Sequence, residues 1–220
     1  MANSDNILLV EGESDKAFFE LICKAIGLIT VRVAHPKDFA HTHNSKEGVF
    51  NHLPIRLQQL ADGQTHRLAV VVDADHDPNG GFQKTRDRVS EILSPFGYSL
   101  ATGIAAGLVY KHDDGLADFG LWIMPNNTNE GMLEDWIKQC IHLNEQGLFA
   151  HAVTAIDTLP NPPKFRSIHR SKAEVATWMA WQNKPGHGLY RAVEDDLLDT
   201  GNPLYQDLSQ WLNLVFAPTS

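Results

Sequence analysis

Two acidic clusters follow apolar runs in this chain: Glu11, Glu13 and Asp15 in "LLVEGESD", and Asp73, Asp75 and Asp77 in "VVVDADHD". Carboxylates held close together repel one another and raise each other's pKa values, a cost that a bound divalent cation removes. Hard oxygen ligands of this kind suit Mg²⁺ or Mn²⁺. Within "DAD" the spacing adds detail, because residues two apart in an extended segment point the same way; Asp73 and Asp75 would face one ion and Ala74 the packed side. Asp77 would lengthen the row, but Pro78 and the following Gly-Gly signal a turn. Later in the chain "KFRSIHRSK" concentrates Lys164, Arg166, His169, Arg170 and Lys172. A cation in the first turn of a helix, as Lys172 would be, is opposed by the helix dipole. Phosphate contact or stabilisation of transition-state charge accounts for that reversal.

For these groups to meet, the elements that carry them must share an edge. "NILLVEG" reads as a buried strand, and "SDKAFFELICKAIG" as a helix with Ser14 as N-cap and Gly27 as its stop. Gly12 would let the chain turn sharply between the two. "LITVRVA" is a second strand, "HPKDFAHTHNSKEG" a loop, and "VFNHLPIRLQQLA" a helix with Pro54 near a kink or early turn. "LAVVV" has no polar alternation, as expected of a parallel strand covered on both faces. "FQKTRDRVSEILSPFG" follows as a helix, and "AAGLVYKH", "DDG" and "LADFGLWIMP" as a β-hairpin. Further helices run through "NTNEGMLEDWIKQCI", with Asn127 and Glu130 spaced as a capping box, through "SKAEVATWMAWQNK", with Ser171 and Glu174 spaced likewise, and through "PLYQDLSQWLNLVF". The expectation is an α/β fold: a mostly parallel sheet with helices on both faces, an antiparallel hairpin and C-terminal helices. Residues 1–150 would form the core and 151–220 a helical extension packed on it. In an open parallel sheet, side chains just past the carboxyl ends of strands share one edge, so Glu11, Asp73 and Asp75 should converge.

Composition limits the partners. Of the 220 residues 43% are hydrophobic and 20% charged, enough for a real core, and the formal charge of −9 excludes a surface that grips duplex nucleic acid by overall positive field. DNA or RNA would be held by local or metal-assisted contact. The two cysteines, Cys23 and Cys140, lie in amphipathic helical stretches and read as packed, reduced thiols, which fits a cytoplasmic protein. No stretch is apolar and long enough for a bilayer, and the polar start lacks the pattern of an export signal.

The stretch "LLVEGESDKAFFELI" followed by "AVVVDADHD" resembles a Toprim domain, the catalytic module of topoisomerases, primases and several nucleases. Its "VEGESD" form is most similar to the nuclease branch that includes the OLD-type enzymes and small RNA-maturing nucleases. "GLWIMPNNTNEGMLEDWI" resembles a group of stand-alone bacterial Toprim-like proteins. The two core motifs span residues 7–78, and the broader likeness covers most of the chain. The resemblance implies Glu11 as general acid/base or metal ligand, and Asp73 and Asp75 as metal ligands. It implies Asp15 at a second acidic position, Glu134 as a further acidic ligand, and a late lysine, for which Lys172 is the candidate. One or two Mg²⁺ or Mn²⁺ ions would then activate water and stabilise the leaving oxygen in phosphodiester hydrolysis. Lys164, Arg166, Arg170 and Lys172 would contact phosphate.

Each of these residues also has a plainer reading. Acids at strand ends cap following helices, Asp15, Glu134 and Asp135 suit a helix's first turn, and the basic loop is ordinary surface charge. Glu13 reads as a solvated turn residue. His35, His41 and His43 read as loop histidines without zinc spacing, and Trp178 and Trp181 as core rather than base-stacking residues. A different class of function stays open: a binding or regulatory module that keeps the fold, lacks turnover and works with a protein partner or as a homo-oligomer.

Overall fold

The computed structural model describes residues 5–76, 80–101 and 106–216. Asp77 and Pro78, which bear on the length of the acidic row, lie outside the described residues.

The chain opens with β1 (Asp5–Leu9), α1 (Glu13–Ala25) and β2 (Val31–Ala34), followed by α2 (Lys46–Ala61), β3 (Thr65–Asp73) and α3 (Phe82–Leu93). It continues through β4 (Tyr98–Leu100), β5 (Leu108–His112) and β6 (Phe119–Met124), and ends in helices α4 (Leu133–Cys140), α5 (Gln146–Asp157), α6 (Arg170–Ala180), α7 (Arg191–Glu194) and α8 (Pro203–Phe216). The six strands form one sheet in the order β2-β1-β3-β6-β5-β4. β2, β1, β3 and β6 run parallel, while β5 pairs antiparallel with both β6 and β4. This is the mixed α/β sheet expected, with the hairpin formed by β5 and β6.

Strand periodicity builds two cores from one sequence. Leu8, Ala69, Val71 and Trp122 point to the face covered by α1 and the C-terminal helices. Ile7, Leu9, Leu68, Val70, Val72, Leu121 and Ile123 point to the other, which α2 and α3 cover. Alternate residues serve opposite apolar layers, so no polar position is needed, and "LAVVV" reads as a continuous run. α8 seats Trp211 and Val215 against β6 at Gly120, where an added Cβ would lie 2.7 Å from Val215 Cγ2. Trp211 Nε1 donates to the Leu108 carbonyl at 3.2 Å.

Several local expectations differ from the structure. β4 and α5 were not expected from the pattern; β4 has only three residues, and α5 is apolar over much of its surface. α2 starts at Lys46, inside the stretch read as loop, because the Ser45 side chain accepts the Gly48 N–H and caps it. Pro54 sits within that helix. Gly12 rather than Ser14 is the N-cap of α1, in extended backbone (φ −153°, ψ −177°), so it makes no left-handed turn. Asn127 caps no helix: it takes a left-handed conformation, and its Oδ1 accepts the Ile123 N–H at 2.7 Å. α4 begins instead after Met132, whose N–H donates to Asp135 Oδ2 at 3.0 Å. Ser171 lies inside α6, not before it, so it does not form a capping box with Glu174.

No helix among the described residues is long and apolar enough to cross a membrane.

Candidate active site

β1, β3 and β6 end at the same edge of the sheet, and the register that pairs Asp73 with Met124 brings the start of α4 beside the tip of β3. There the Asp73 N–H donates to Glu11 Oε1 at 2.8 Å, and Asp73 Oδ1 accepts the Leu133 N–H at 3.0 Å. A first-turn amide of α4 thus faces the Asp73 carboxylate, an arrangement that favours an anion. Among the described residues no donor bonds the second oxygen of either acid.

A cavity of about 200 Å³ opens at this edge, lined by Glu11, Asp15, Asp73 and Glu134 together with Lys172 and the Asn44–Ser45 turn. Glu11 comes from the end of β1, Asp15 from the first turn of α1, Asp73 from the end of β3, Glu134 from the first turn of α4, and Lys172 from the first turn of α6. Five elements therefore meet there. Gly12 lies 3.4 Å, measured from an added Cβ, from Asp15 Oδ2.

The electrostatics are those of a charge-poor enclosure crowded with acids. Burial pushes the Glu11 carboxyl up to about 7, against the pull of the Asp73 amide and Lys46, with Asp15 and Asp75 adding repulsion. Burial also holds the Asp73 carboxyl well above the usual carboxylate range, and Glu11, Asp15, Glu134 and Asp75 push in the same direction. Asp15 and Glu134 are raised by burial too, with Lys172 pulling each back. Lys172 is thus the ammonium that offsets the outer pair of acids, and Lys46 the one that acts on the inner side.

Asp75 takes a different course. β3 ends at Asp73, Asp75 has a positive φ of 61°, and it forms an antiparallel bridge with Gly131. The extended alternation that would aim Asp73 and Asp75 together stops one residue too soon. The Asp75 carboxylate pairs with Lys46 and does not line the cavity. Gly80 and Gly81 fold back over this bend: the Gly81 N–H donates to the Ala74 carbonyl at 2.7 Å, and an added Cβ on Gly80 would lie 2.6 Å from that oxygen.

Of the basic loop, Lys172 alone lines the cavity. Lys164 and Arg166 are exposed, and Arg170 is held by Glu174 and Asp157, each at 2.6 Å. Glu13 is solvated as expected, its side chain 81% exposed, though it opens α1 rather than lying in the turn, and its Oε2 lies 2.5 Å from Nε2 of the buried His35. Trp178 is fully buried and part of the core, while Trp181 is half-exposed beside His151. The sequence reading missed Lys46, Asn44 and Ser45; the signal that could have found them is the Ser45 N-cap, which places the start of α2 at this edge.

The donor set can be tested against a divalent cation. Four carboxylates on one small cavity, each disfavoured by burial as a free anion, fit a hard cation in chemistry. Among the described residues, however, no three His, Cys, Asp or Glu side chains close on a common point. Ion binding would therefore draw the carboxylates inward.

The whole described fold, residues 5–217 in the match, corresponds to a family described as a protein of unknown function, DUF3226. The chain belongs to the DUF3226 family. No curated protein and no solved structure gives a significant match to this DUF3226 chain.

Proposed function

We propose that this DUF3226 protein hydrolyses phosphodiester bonds of nucleic acid with Mg²⁺ or Mn²⁺, in the manner of the Toprim nucleases its two acidic motifs resemble. The observation that carries this reading is the meeting of Glu11, Asp15, Asp73, Glu134 and Lys172 on one cavity at the carboxyl edge of the sheet. Asp73, Asp15 and Glu134 would hold the cation. When bound, it would polarise the phosphoryl group and lower the pKa of an attacking water. Glu11, fixed at the strand tip by the Asp73 amide, accepts the proton from that water. Lys172, on the same cavity as the acids, supplies positive charge to the oxygens on which negative charge develops. The exposed Lys164 and Arg166 lie on the loop leading into α6, where they can guide a phosphate backbone toward Lys172. Contact of that kind is local, as the net charge of −9 requires.

A second reading is a binding or regulatory module that works with a partner protein. It is favoured by the small size of the cavity, about 200 Å³, and by the absence of a finished metal set among the described residues. One experiment separates the two. Purified protein and its Asp73→Asn variant are incubated with single-stranded and duplex DNA and RNA in Mg²⁺ and in Mn²⁺. Cleavage that needs metal and is lost in Asp73→Asn supports hydrolysis; no metal-dependent cleavage of any substrate sinks it.

A further inference from the structure

Lys46 is the second ammonium at this edge, and its surroundings differ from those of Lys172. From the first turn of α2 its Nζ donates to the Asp73 carbonyl at 3.0 Å, to the Ala74 carbonyl at 3.3 Å and to Thr85 Oγ1 at 3.5 Å. It also pairs with the Asp75 carboxylate. Four oxygens thus surround one cationic group. Two are main-chain carbonyls fixed by the end of β3, one is a hydroxyl from α3, and one is a carboxylate whose backbone is locked in a left-handed bend. An ammonium has three donors and no acceptor, so an all-oxygen shell with one formal negative charge satisfies it without another ion. The Lys46 side chain is only 17% exposed, whereas Asp75 is 47% exposed, so the lysine is the fixed member of the pair.

The bend matters as much as the charge. Asp75 donates its N–H to the Gly131 carbonyl at 2.9 Å and receives the Gly131 N–H at 3.2 Å. With its main chain held on that side and its carboxylate on Lys46, Asp75 stands outside the lining of the acidic cavity. A second divalent ion sharing Asp73 and Asp75 would have to sit within about 4 Å of the first. The Lys46 ammonium already occupies the space against Asp75, and a dication brought beside it would meet direct repulsion.

We propose that Lys46 is a built-in counter-cation that keeps Asp75 from serving as a metal ligand, so that the acidic cavity takes one divalent cation and not two. Lys46 is not itself part of the cavity lining; it bonds the main-chain carbonyl of Asp73, whose carboxylate is, and so is a positioning residue. The inference rests on the metal-binding reading of the cavity and limits its stoichiometry and ligand set.

The test counts ions directly. Mn²⁺ is titrated into the full chain by isothermal calorimetry, with free Mn²⁺ followed by its paramagnetic resonance signal. Wild type is expected to bind one equivalent. Asp75→Asn is expected to bind one equivalent as well, with affinity changed by no more than about fivefold, the effect of losing a partly exposed charge outside the ligand set. Lys46→Met is expected to gain a second, weaker equivalent that Asp75→Asn then removes, and Lys46→Arg to remain at one. Two equivalents in wild type, or loss of binding in Asp75→Asn, overturns the proposal while leaving a metal site in place. No Mn²⁺ binding in wild type overturns it together with the metal reading on which it rests. Should Lys46→Met not fold, Lys46→Gln, which keeps a donor for the carbonyls but no charge, is expected to gain the same second equivalent, and a folded Lys46→Met or Lys46→Gln protein that stays at one equivalent overturns the role given to Lys46.

Discussion

The Glu11 carboxylate accepts the Asp73 N–H at 2.8 Å, so the tips of β1 and β3 are tied by a side chain that burial disfavours as an anion. This bond joins the first acidic motif to the second across the 62 residues that separate them in sequence. Burial of that carboxyl outweighs the bond's pull, and it makes the protein's stability depend on pH in a direction opposite to that of a salt-bridged carboxylate.

Glu11 has an ordinary value of 4.5 and is pushed up to about 7 in the folded chain. Between those two values the folded protein holds the proton that the unfolded chain has released. Its contribution is therefore complete below the unfolded value and is lost as pH rises through the folded one. The loss is at most about 3 kcal/mol for this group. Asp73 acts in the same direction. Thermal unfolding in chelator should show a midpoint that falls from pH 5 to pH 8, and Glu11→Gln should flatten the curve and melt higher at pH 8. Parallel curves for the two proteins would mean that Glu11 titrates as an exposed acid.

A divalent cation should reverse that trend. It binds deprotonated carboxylates, so Mn²⁺ at 100 times its Kd should add about 2.7 kcal/mol near pH 8 and little near pH 5, where protons compete. Asp73→Asn should abolish the gain. Melting curves with and without Mn²⁺ at the two pH values measure it, and equal protection of wild type and Asp73→Asn would place the ion elsewhere.

The parts of this site that could be read in the sequence were those set by strand geometry. Glu11 and Asp73 follow apolar runs that end at one edge, and the sheet order makes β1 and β3 neighbours, which a parallel α/β pattern anticipates. Asp75 was misaimed in that reading because a residue spacing of two says nothing of where the strand stops. The left-handed bend at Asp75 is packed by Gly80 and Gly81, which the sequence marks as a turn without saying where the strand ends, and is bridged to Gly131, which is remote in sequence. Lys46 escaped for a related reason: a short polar stretch rich in histidine looks like loop, and only the folded chain shows that its end is an N-cap at the site. The place of Lys172 was legible as an anomaly of charge against helix dipole, whereas the pairing of Arg170 with Glu174 and Asp157 required the helix packing to be known.

Lys172 separates charge stabilisation from ion binding. Its charge acts on Asp15 and Glu134 and offsets part of the rise that burial gives both carboxyls. Lys172→Met should cut metal-dependent turnover by about 100-fold, as loss of one preorganised charge does. Mn²⁺ affinity should stay equal or rise, since a repelling charge has gone. A joint loss of turnover and Mn²⁺ affinity would instead assign Lys172 to holding the acids in place.

The C-terminal helix can be tested independently of chemistry. Gly120 in β6 faces α8, and a Cβ there would lie 2.7 Å from Val215 Cγ2 and 3.0 Å from Trp211 Cζ2. Gly120→Ala should destabilise the protein by about 1–3 kcal/mol through overpacking, read by denaturant unfolding. Val215→Ala in the same chain should recover part of that loss, because it removes the nearest methyl groups. If the pair of changes is simply additive, α8 does not press on β6 at this point.

Glu174 ties the helix that carries Lys172 to the helix that carries Glu134. Its buried carboxylate takes Lys138 of α4 and Arg170 of α6, both at 2.6 Å, while the Ser171 hydroxyl bonds to Asp135 of α4. The helix that carries Glu134 is thereby clamped to the helix that carries Lys172, and removing the shared acid leaves two cations facing each other. Glu174→Ala should cost about 3 kcal/mol in unfolding free energy, the effect of breaking a buried pair from one side. Loss of stability alone would be a structural role. A positioning role has a further signature: turnover at saturating substrate should fall while Mn²⁺ affinity holds, since Asp73 and Glu11 are untouched by α6. The change should resemble Lys172→Met in kind and be smaller in size, and adding Lys172→Met to Glu174→Ala should lower turnover little further. Independent, multiplying losses would show that α6 places Lys172 without help from Glu174.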